Sequence, residues 1–303
     1  MKNKSFVVFK KKITFSIKEN LIRYIDNKIV DYQRRLRKTN YEKVGQNISI
    51  FAFDDIGLRI NQFGIYEGEE LNLIIQYFKP ISKQLFNGIA VDIGANIGNH
   101  SVFFSKFFNK VFSFEPHPKV FKLLKFNTET LKNIYQFKFG LGNKNEIKKI
   151  TENKLNLGKS RLKKNTNNAE QKKFIVQIKK LDDELKKIKK INLIKIDVEG
   201  EELEVIKGSK NIIKLNNPII LFELDKSQFI NGDPGVIKYL KKFNYKFAFF
   251  DNNTEKSNLL KIIANIKKMF FGVTRSISTN EFIPQKFHSM IIGIPKKFHD
   301  ELL

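Results

Sequence analysis

The sequence predicts an α/β fold in which helices cover both faces of a mostly parallel sheet. From residue 89 onward, short apolar runs typical of buried strands alternate with longer segments whose apolar residues recur at helical spacing. One of these runs enters a glycine-rich turn that leads directly into a helix, at 91–104. Strands that alternate with helices form parallel sheets, and such sheets bind ligands at the carboxyl ends of their strands.

The first 63 residues precede this regular pattern. A basic, amphipathic helix is predicted at 18–38 and ends in a cluster of arginine and lysine. Short β-like runs follow at 48–60, and 64–78 is predicted to be a turn that feeds a helix. We interpret the basic cluster as a solvated helix end, with contact to phosphate or to a membrane as the alternative.

Apolar periodicity divides the rest of the chain into strands and helices. A polar loop at 152–173 separates two weakly alternating runs, which predict a hairpin-like excursion. Strands are predicted at 89–93, 111–114, 135–139, 145–151, 174–180, 191–197, 218–224, 245–250 and 289–294. Helices are predicted at 98–108, 117–131, 200–215, 233–243 and, from an amphipathic stripe, 258–271.

The composition is that of a basic, cysteine-free globular protein. The 303 residues include 56 Lys plus Arg against 31 Asp plus Glu, a formal charge of +25, and no cysteine. The lack of cysteine excludes disulfides, thiolate zinc sites and a cysteine nucleophile. Most basic residues are scattered lysines, which an AT-rich coding sequence would also produce; attraction to an anionic membrane or polymer is the functional alternative. Without a clustered basic face we expect no specific nucleic-acid partner.

Targeting signals are absent from the sequence pattern. Lysines interrupt the apolar runs near the start, and no later run approaches the roughly 18 uncharged apolar residues of a membrane span. We therefore expect a cytoplasmic protein, with the inner face of the membrane as the alternative position.

The turn after the strand at 89–93 carries the most informative chemistry. Gly94 and Gly98 allow a tight turn and close packing, and Glu115, 21 residues after Gly94, can accept two hydrogen bonds from a ribose diol. A dinucleotide-binding turn would have glycine where this chain has Asn96. The Asp92 carboxylate favours a cofactor with a sulfonium and an amino group, so S-adenosylmethionine fits better than NAD. A glycine-rich strand exit without a ligand is the structural alternative.

A second group of charged residues follows a later strand. Lys195 and Asp197 lie on one side of that strand by its period of two, and Glu199 comes just beyond it. In methyl transfer to an alcohol, Asp197 or Glu199 can remove the hydroxyl proton, and Lys195 can keep a carboxylate ionised. The alternative is an acidic cluster that complements the dipole of the next helix, which we accept for Glu201 and Glu202.

Two further carboxylates, Glu223 and Asp225, emerge from the next predicted strand. Together with Asp197 they form a weaker candidate site for Mg²⁺, which prefers oxygen ligands. Nothing in the sequence fixes the distances between the three carboxylates, so magnesium is an alternative cofactor that we do not expect.

Six motifs occur along the chain in a recognisable order and spacing. They are VDIGANIGNHS at 91–101, FEPHP at 114–118, GLGN at 140–143, KKLDDE at 179–184, IKIDVEGEELEVIKGS at 194–209 and FEL at 222–224. In this arrangement the chain resembles the FkbM family of S-adenosylmethionine-dependent methyltransferases over about 64–225. The resemblance implies the Rossmann-like fold of class I methyltransferases, a seven-stranded sheet whose antiparallel last strand is inserted beside the fifth.

The resemblance also implies which residues bind the cofactor. The first cofactor loop would consist of Asp92, Gly94, Asn96 and Gly98. The ribose would be bound by Glu115, and the adenosine would lie beside Pro116, Leu141 and Gly142.

Domain organisation and function follow from the same resemblance. We expect an extension at 1–63 and a methyltransferase domain at 64–303 with a helical insertion at about 252–288. The implied reaction is O-methylation of a sugar hydroxyl in a polysaccharide, glycolipid or similar natural product, so the expected partner is a small-molecule or glycan acceptor. N-methylation of an amine and non-catalytic binding of an anionic polymer are the alternatives.

Overall fold

The computed structural model describes residues 16–52, 54–151, 173–198, 200–229, 232–251, 275–280 and 282–303. The predicted helix at 258–271 and all but the last residue of the predicted loop at 152–173 lie outside the described residues. The strands are β1 Ile89–Ile93, β2 Lys110–Phe114, β3 Ile134–Phe137, β4 Gly140–Leu141, β5 Glu146–Thr151, β6 Lys173–Lys179, β7 Ile191–Ile196, β8 Ile219–Leu224, β9 Lys246–Asp251, β10 Ser276–Thr279 and β11 His288–Ile294. The helices are α1 Ile17–Val44, α2 Asp55–Phe63, α3 Gly68–Tyr77, α4 Ser82–Phe86, α5 Asn99–Phe104, α6 Pro118–Thr128, α7 Leu181–Glu184, α8 Glu202–Lys207, α9 Lys210–Asn216, α10 Gly235–Lys241 and α11 His299–Leu302.

The main sheet has the strand order β3-β2-β1-β7-β8-β11-β9-β10. Neighbours from β3 to β8 pair in parallel, and β11 pairs antiparallel with both β8 and β9. The mostly parallel sheet and the antiparallel last strand beside the fifth are therefore confirmed. The described sheet has eight strands instead of seven, because β10 adds an antiparallel edge strand beside β9. This strand lies within the segment that was predicted as a helical insertion.

Helices cover both faces of the sheet, as the alternating pattern predicted. On one face, apolar side chains of α3, α4 and α5 pack against those of the strands. On the other, α8, α9 and α10 supply the apolar contacts. Strands with apolar residues on both faces are the expected consequence of this double layer.

The predicted hairpin-like excursion is a small separate sheet. β5 and β6 pair antiparallel, and β4 joins β6 in parallel. The β4 residues lead directly into Gly142, so this small sheet positions the segment that was predicted to lie near the adenine.

The N-terminal helix is confirmed, but the strands predicted after it are wrong for the described part of 48–60. α1 begins at a capping box, in which Ser16 accepts the backbone N–H of Glu19 and the Glu19 carboxylate accepts that of Ser16. Residues from Asp55 onward are helical instead of extended, because the Asp54 side chain caps α2 by accepting the backbone N–H of Gly57.

The helix predicted at 200–215 is divided into α8 and α9 by Gly208 and Ser209. At this break, a Cβ on Gly208 would stand 1.9 Å from the carbonyl oxygen of Gly142. The absent side chain thus lets the end of α8 contact the segment after β4. No helix in the described ranges has both the length and the apolarity to cross a bilayer.

We expect Gly208→Ala to lower the free energy of unfolding by about 3 kcal/mol, because the methyl group collides with backbone that cannot rotate away. The matched control is Gly45→Ala, where φ is +60° and no atom lies within 4 Å of the added Cβ. There only the left-handed conformation is penalised, by about 1 kcal/mol. Urea unfolding measures both losses, and equal losses would contradict a packing role for Gly208.

Candidate functional site

A buried ion pair joins the two central strands at their carboxyl ends. Asp92 of β1 and Lys195 of β7 are register partners, and their side chains extend to the face covered by α3 and α5. Lys195 Nζ lies 3.2 Å from Asp92 Oδ1, and the two side chains are 5% and 0% exposed. The Ser101 hydroxyl donates to Asp92 Oδ2 over 2.6 Å. Asp92 is therefore enclosed by its partners.

Lys195 also contacts the residues on either side of this pair. Its ammonium group lies 3.4 Å from Asp197 Oδ2 and donates to the Gly94 carbonyl oxygen over 3.3 Å. Burial lowers the pKa of Lys195, but the charges of Asp92 and Asp197 outweigh it and hold that pKa above its ordinary value. Lys195 therefore stays charged. Asp197, whose side chain is 39% exposed, presents its carboxylate at the edge of the sheet.

The loop from Gly94 to Gly98 makes the predicted tight turn. Gly94, Asn96 and Gly98 all have positive φ, at +73°, +52° and +95°. A Cβ at Gly94 would stand 1.9 Å from the Asp197 carbonyl oxygen, so this glycine is required by the protein's own backbone. Gly98 also leaves room for α6, because a Cβ there would stand 2.9 Å from Leu124 Cδ1.

Glu115 lies directly after β2, beside this loop, and is 7% exposed. Its Oε2 accepts the backbone N–H of Asn96 over 3.0 Å, and its Oε1 accepts that of His117 over 2.7 Å. Burial raises the pKa of Glu115 to about 7, although both N–H groups oppose the shift. The left-handed conformation of Asn96 is thus part of how the loop holds this carboxylate.

The residues predicted beside an adenine lie near Glu115 along the chain and in space. Pro116 follows it and packs against Gly140, where an added Cβ would stand 3.4 Å from the proline ring. Leu141 is buried in the apolar layer with Phe139, and Gly142 donates its N–H to the Lys179 carbonyl oxygen over 2.9 Å. Leu141 therefore offers backbone, and little side-chain surface, to a ligand.

Sequence reasoning missed a second group of polar residues at this edge. Glu67 has φ of +55° at the start of α3, and its Oε2 lies 3.2 Å from Nε2 of the buried His100. The Tyr66 side chain is hydrogen-bonded to that of Glu67. Asn99 fixes the Tyr66 backbone, because its side chain accepts the N–H over 3.0 Å and donates to the carbonyl oxygen over 2.9 Å.

The group at Tyr66 and the carboxylates after β7 and β8 influence one another. Burial raises the pKa of the Tyr66 hydroxyl above its ordinary value. The negative charges of Glu67, Asp197 and Glu223 raise it further. The only sequence signal for this group is the polar pair at 66–67 just before a helix, within the range of the family resemblance.

Some predicted site residues are not brought together. Glu199 lies outside the described residues. The candidate Mg²⁺ site at Asp197, Glu223 and Asp225 is not supported, since the described ranges contain no group of three carboxylates or histidines placed to hold a metal ion. Asp225 instead accepts the Ser227 backbone N–H over 2.9 Å. Glu202, which was interpreted as a partner of the helix dipole, lies in the first turn of α8, where it is buried and accepts the N–H of Gly200 over 2.9 Å.

Comparison with known proteins gives a family match over the region just described. A family model described as "Methyltransferase FkbM domain" matches residues 92–247. Hexuronic acid methyltransferase AglP of Haloferax volcanii is 31% identical over 135 residues, which are 43% of this chain and 53% of that protein. The chain thus spans about half the length of this curated relative.

Two further comparisons are more distant. Methyltransferase 1 of Beauveria bassiana is 24% identical over 188 residues, which are 49% of this chain and 72% of that protein. Among solved structures, precorrin 8w decarboxylase of Methanobacterium thermoautotrophicum has a TM-score of 0.38 and 13% identity, covering 75% of this chain and 88% of the other.

We expect Lys195→Met to lower the free energy of unfolding by about 3–5 kcal/mol, because it leaves the buried Asp92 carboxylate without its counter-charge. Adding Asp92→Asn to the same protein should recover part of this loss. Urea unfolding at pH 7 provides the measurement.

Lys207→Met is the matched control for this variant. Its partner Glu204 lies 2.6 Å away, but both side chains are more than one third exposed, so the loss should stay below about 1 kcal/mol. Similar losses in the two lysine variants would show that the buried pair of Asp92 and Lys195 stabilises the fold no more than an exposed pair does.

Proposed function

Because the chain belongs to the FkbM methyltransferase family, we propose that it transfers a methyl group from S-adenosylmethionine to a sugar hydroxyl in a polysaccharide, glycolipid or similar natural product. The name of the relative AglP, a hexuronic acid methyltransferase, supports a sugar as the acceptor and extends the proposal to an acidic sugar. The experiment is to measure S-adenosylmethionine binding by calorimetry and methyl transfer to p-nitrophenyl glycosides by mass spectrometry. Absence of cofactor binding would refute the proposal.

The single observation that carries the proposal is the position of Glu115. Its carboxylate stands at the carboxyl end of β2, beside the loop of β1, where parallel sheets bind nucleotides. Each oxygen accepts one backbone N–H, which leaves lone pairs on both for the two hydroxyls of a ribose. The residues present therefore fit the nucleoside part of the cofactor. We assign ribose binding to Glu115, with Pro116, Leu141 and Gly142 beside the adenosine.

Asp92 has a supporting role in this proposal, unlike the direct cofactor contact that the sequence suggested. It is fully buried, and its two oxygens face Ser101 and Lys195. In this position its charge is compensated within the protein. We therefore propose that Asp92 acts on the cofactor loop through Lys195, which bonds the Gly94 carbonyl oxygen.

Bound S-adenosylmethionine supplies an electrophilic methyl group on a sulfonium ion, and transfer to an alcohol requires removal of the hydroxyl proton. We assign the removal of this proton to Asp197. Of the two carboxylates that contact Lys195, Asp92 is fully buried and Asp197 is partly exposed. Lys195 is a positioning residue, because its ammonium group lies 3.4 Å from Asp197 Oδ2 and so fixes the position of this carboxylate. Glu199 is the alternative base.

The affinity for S-adenosylmethionine should fall about 10-fold between pH 8 and pH 6, because protonation of Glu115, whose pKa is about 7, removes an acceptor from the ribose. Glu115→Gln should bind more weakly and should lose this pH dependence. Calorimetric titration at several pH values measures both effects.

Glu204→Gln is the control for the pH experiment. Its carboxylate pairs with Lys207 over 2.6 Å on the surface and does not contact the loop. This variant should keep the slope of the unmodified protein. An unchanged slope in Glu115→Gln would remove Glu115 from the ribose site.

Asp197→Asn should bind S-adenosylmethionine within about 3-fold of the unmodified protein and lose about 100- to 10,000-fold in kcat, because the amide cannot accept the hydroxyl proton. Single-turnover transfer of a tritiated methyl group to p-nitrophenyl β-D-glucuronide gives the rate, and calorimetry gives the affinity. Full activity of Asp197→Asn would transfer the role of base to Glu199.

A further inference from the structure

A cavity of about 570 Å³ lies against the segment at 66–67. Its described walls come from α2, the start of α3 and the residue that precedes β10, and they include Arg59, Phe63 and Arg275. The volume is within the range of about 300–1,000 Å³ that is typical of small-molecule sites. Apolar and charged side chains both line it, as in sites that bind a sugar ring through its faces and its polar groups.

The cavity adjoins the edge of the sheet that carries the proposed base. Tyr66 and Glu67 line the cavity, and the same Tyr66 hydroxyl is influenced by the charges of Asp197 and Glu223. Glu67 also acts electrostatically on Lys195. These two residues therefore place the cavity next to the reacting edge, which is the position that an acceptor site requires.

The charges in the cavity wall are not equally available to a ligand. Arg275 forms ion pairs with Glu70 and, at 3.6 Å, with Glu69. Glu67 is directed to His100 and Tyr66. Within the described ranges, no hydrogen bond or ion pair engages Arg59, whose side chain is exposed on α2. Among the described residues of the cavity wall, Arg59 is therefore available to a ligand, and Arg275 is already compensated by Glu69 and Glu70.

A free guanidinium group at a cavity wall selects for an anion of matching shape. Its planar fork donates two parallel N–H bonds to the two oxygens of a carboxylate. Neutral sugars offer only hydroxyls, which match this fork poorly. The hydroxyl groups of an acidic sugar held in this way would face Tyr66 and the sheet edge beyond it.

We infer that this cavity is the acceptor site and that Arg59 binds the carboxylate of a uronic-acid residue, an inference that rests on the proposed function. Arg59 then determines specificity between acidic and neutral sugars, and Asp197 remains the residue that takes the proton. Because Arg59 belongs to the extension at 1–63, this segment would supply the acceptor side of the site.

The test compares two probes that differ only at C6, p-nitrophenyl β-D-glucuronide and p-nitrophenyl β-D-glucoside. Each is titrated by calorimetry into the full chain saturated with S-adenosylhomocysteine, so binding is measured without methyl transfer. The unmodified protein should prefer the glucuronide. Arg59→Gln should lower glucuronide affinity about 10-fold and leave glucoside affinity unchanged, since only the carboxylate loses its charged partner. Arg59→Lys should lie between the two, because lysine keeps the charge and loses the fork.

Arg34→Gln is the matched control, with the same change of charge on the exposed surface of α1. It should leave the affinity for both probes unchanged. Loss of affinity for both sugars in Arg59→Gln, or failure of the glucuronide to bind at all, would overturn the inference. Equally effective competition by UDP would assign Arg59 to a phosphate and would also overturn it.

The failure of this inference can be distinguished from failure of the proposed function. A protein that binds S-adenosylmethionine but shows no Arg59-dependent preference keeps its proposed chemistry and loses only this acceptor site. A protein that binds the glucuronide through Arg59 but has no affinity for S-adenosylmethionine keeps the site and loses the chemistry.

Discussion

The buried pair of Asp92 and Lys195 is the interaction on which the rest of the site depends. It joins β1 to β7 at their carboxyl ends, where the loop after β1 and the carboxylate after β7 must be held together. One ammonium group contacts Asp92, Asp197 and the Gly94 carbonyl oxygen. Because an uncompensated charge would be costly at this depth, the three acceptors and Lys195 form a single unit. The positions of the loop and of the Asp197 carboxylate therefore depend on the same ammonium group.

This arrangement gives three carboxylates at one sheet edge three different properties. Asp92 is compensated and enclosed, and Asp197 is compensated but partly exposed. Glu115 accepts two backbone N–H groups, and burial raises its pKa to about 7. Different environments for similar groups are how a protein assigns support, proton transfer and ligand binding to separate residues. Here the differences arise from burial and from contact with Lys195.

The sequence predicted those parts of the structure that depend on local pattern. β1, the turn at Gly94 and the position of Glu115 after β2 follow from apolar runs, glycines and spacing, and all are confirmed. It failed where distant segments decide the outcome. The burial of Asp92 requires Lys195, about one hundred residues away, and the need for glycine at position 208 comes from the backbone of Gly142. The helix after Asp54 was not predicted, because the composition of this segment is β-like and its helix depends on the Asp54 cap.

The least predictable feature is how the N-terminal segment joins the cofactor loop. This connection depends on the side chains of two asparagines that bond segments distant in sequence. Asn127 of α6 donates to the carbonyl oxygens of Ser49 and Ile97, over 2.9 and 2.8 Å. Asn99, at the other end of the same loop region, clamps the Tyr66 backbone. The loop region that we assign to the cofactor is therefore bonded through Asn127 to the N-terminal segment and through Asn99 to a residue of the cavity wall. A displacement of one must strain these bonds or carry the other with it, so binding at the cavity and binding at the loop are expected to be energetically coupled.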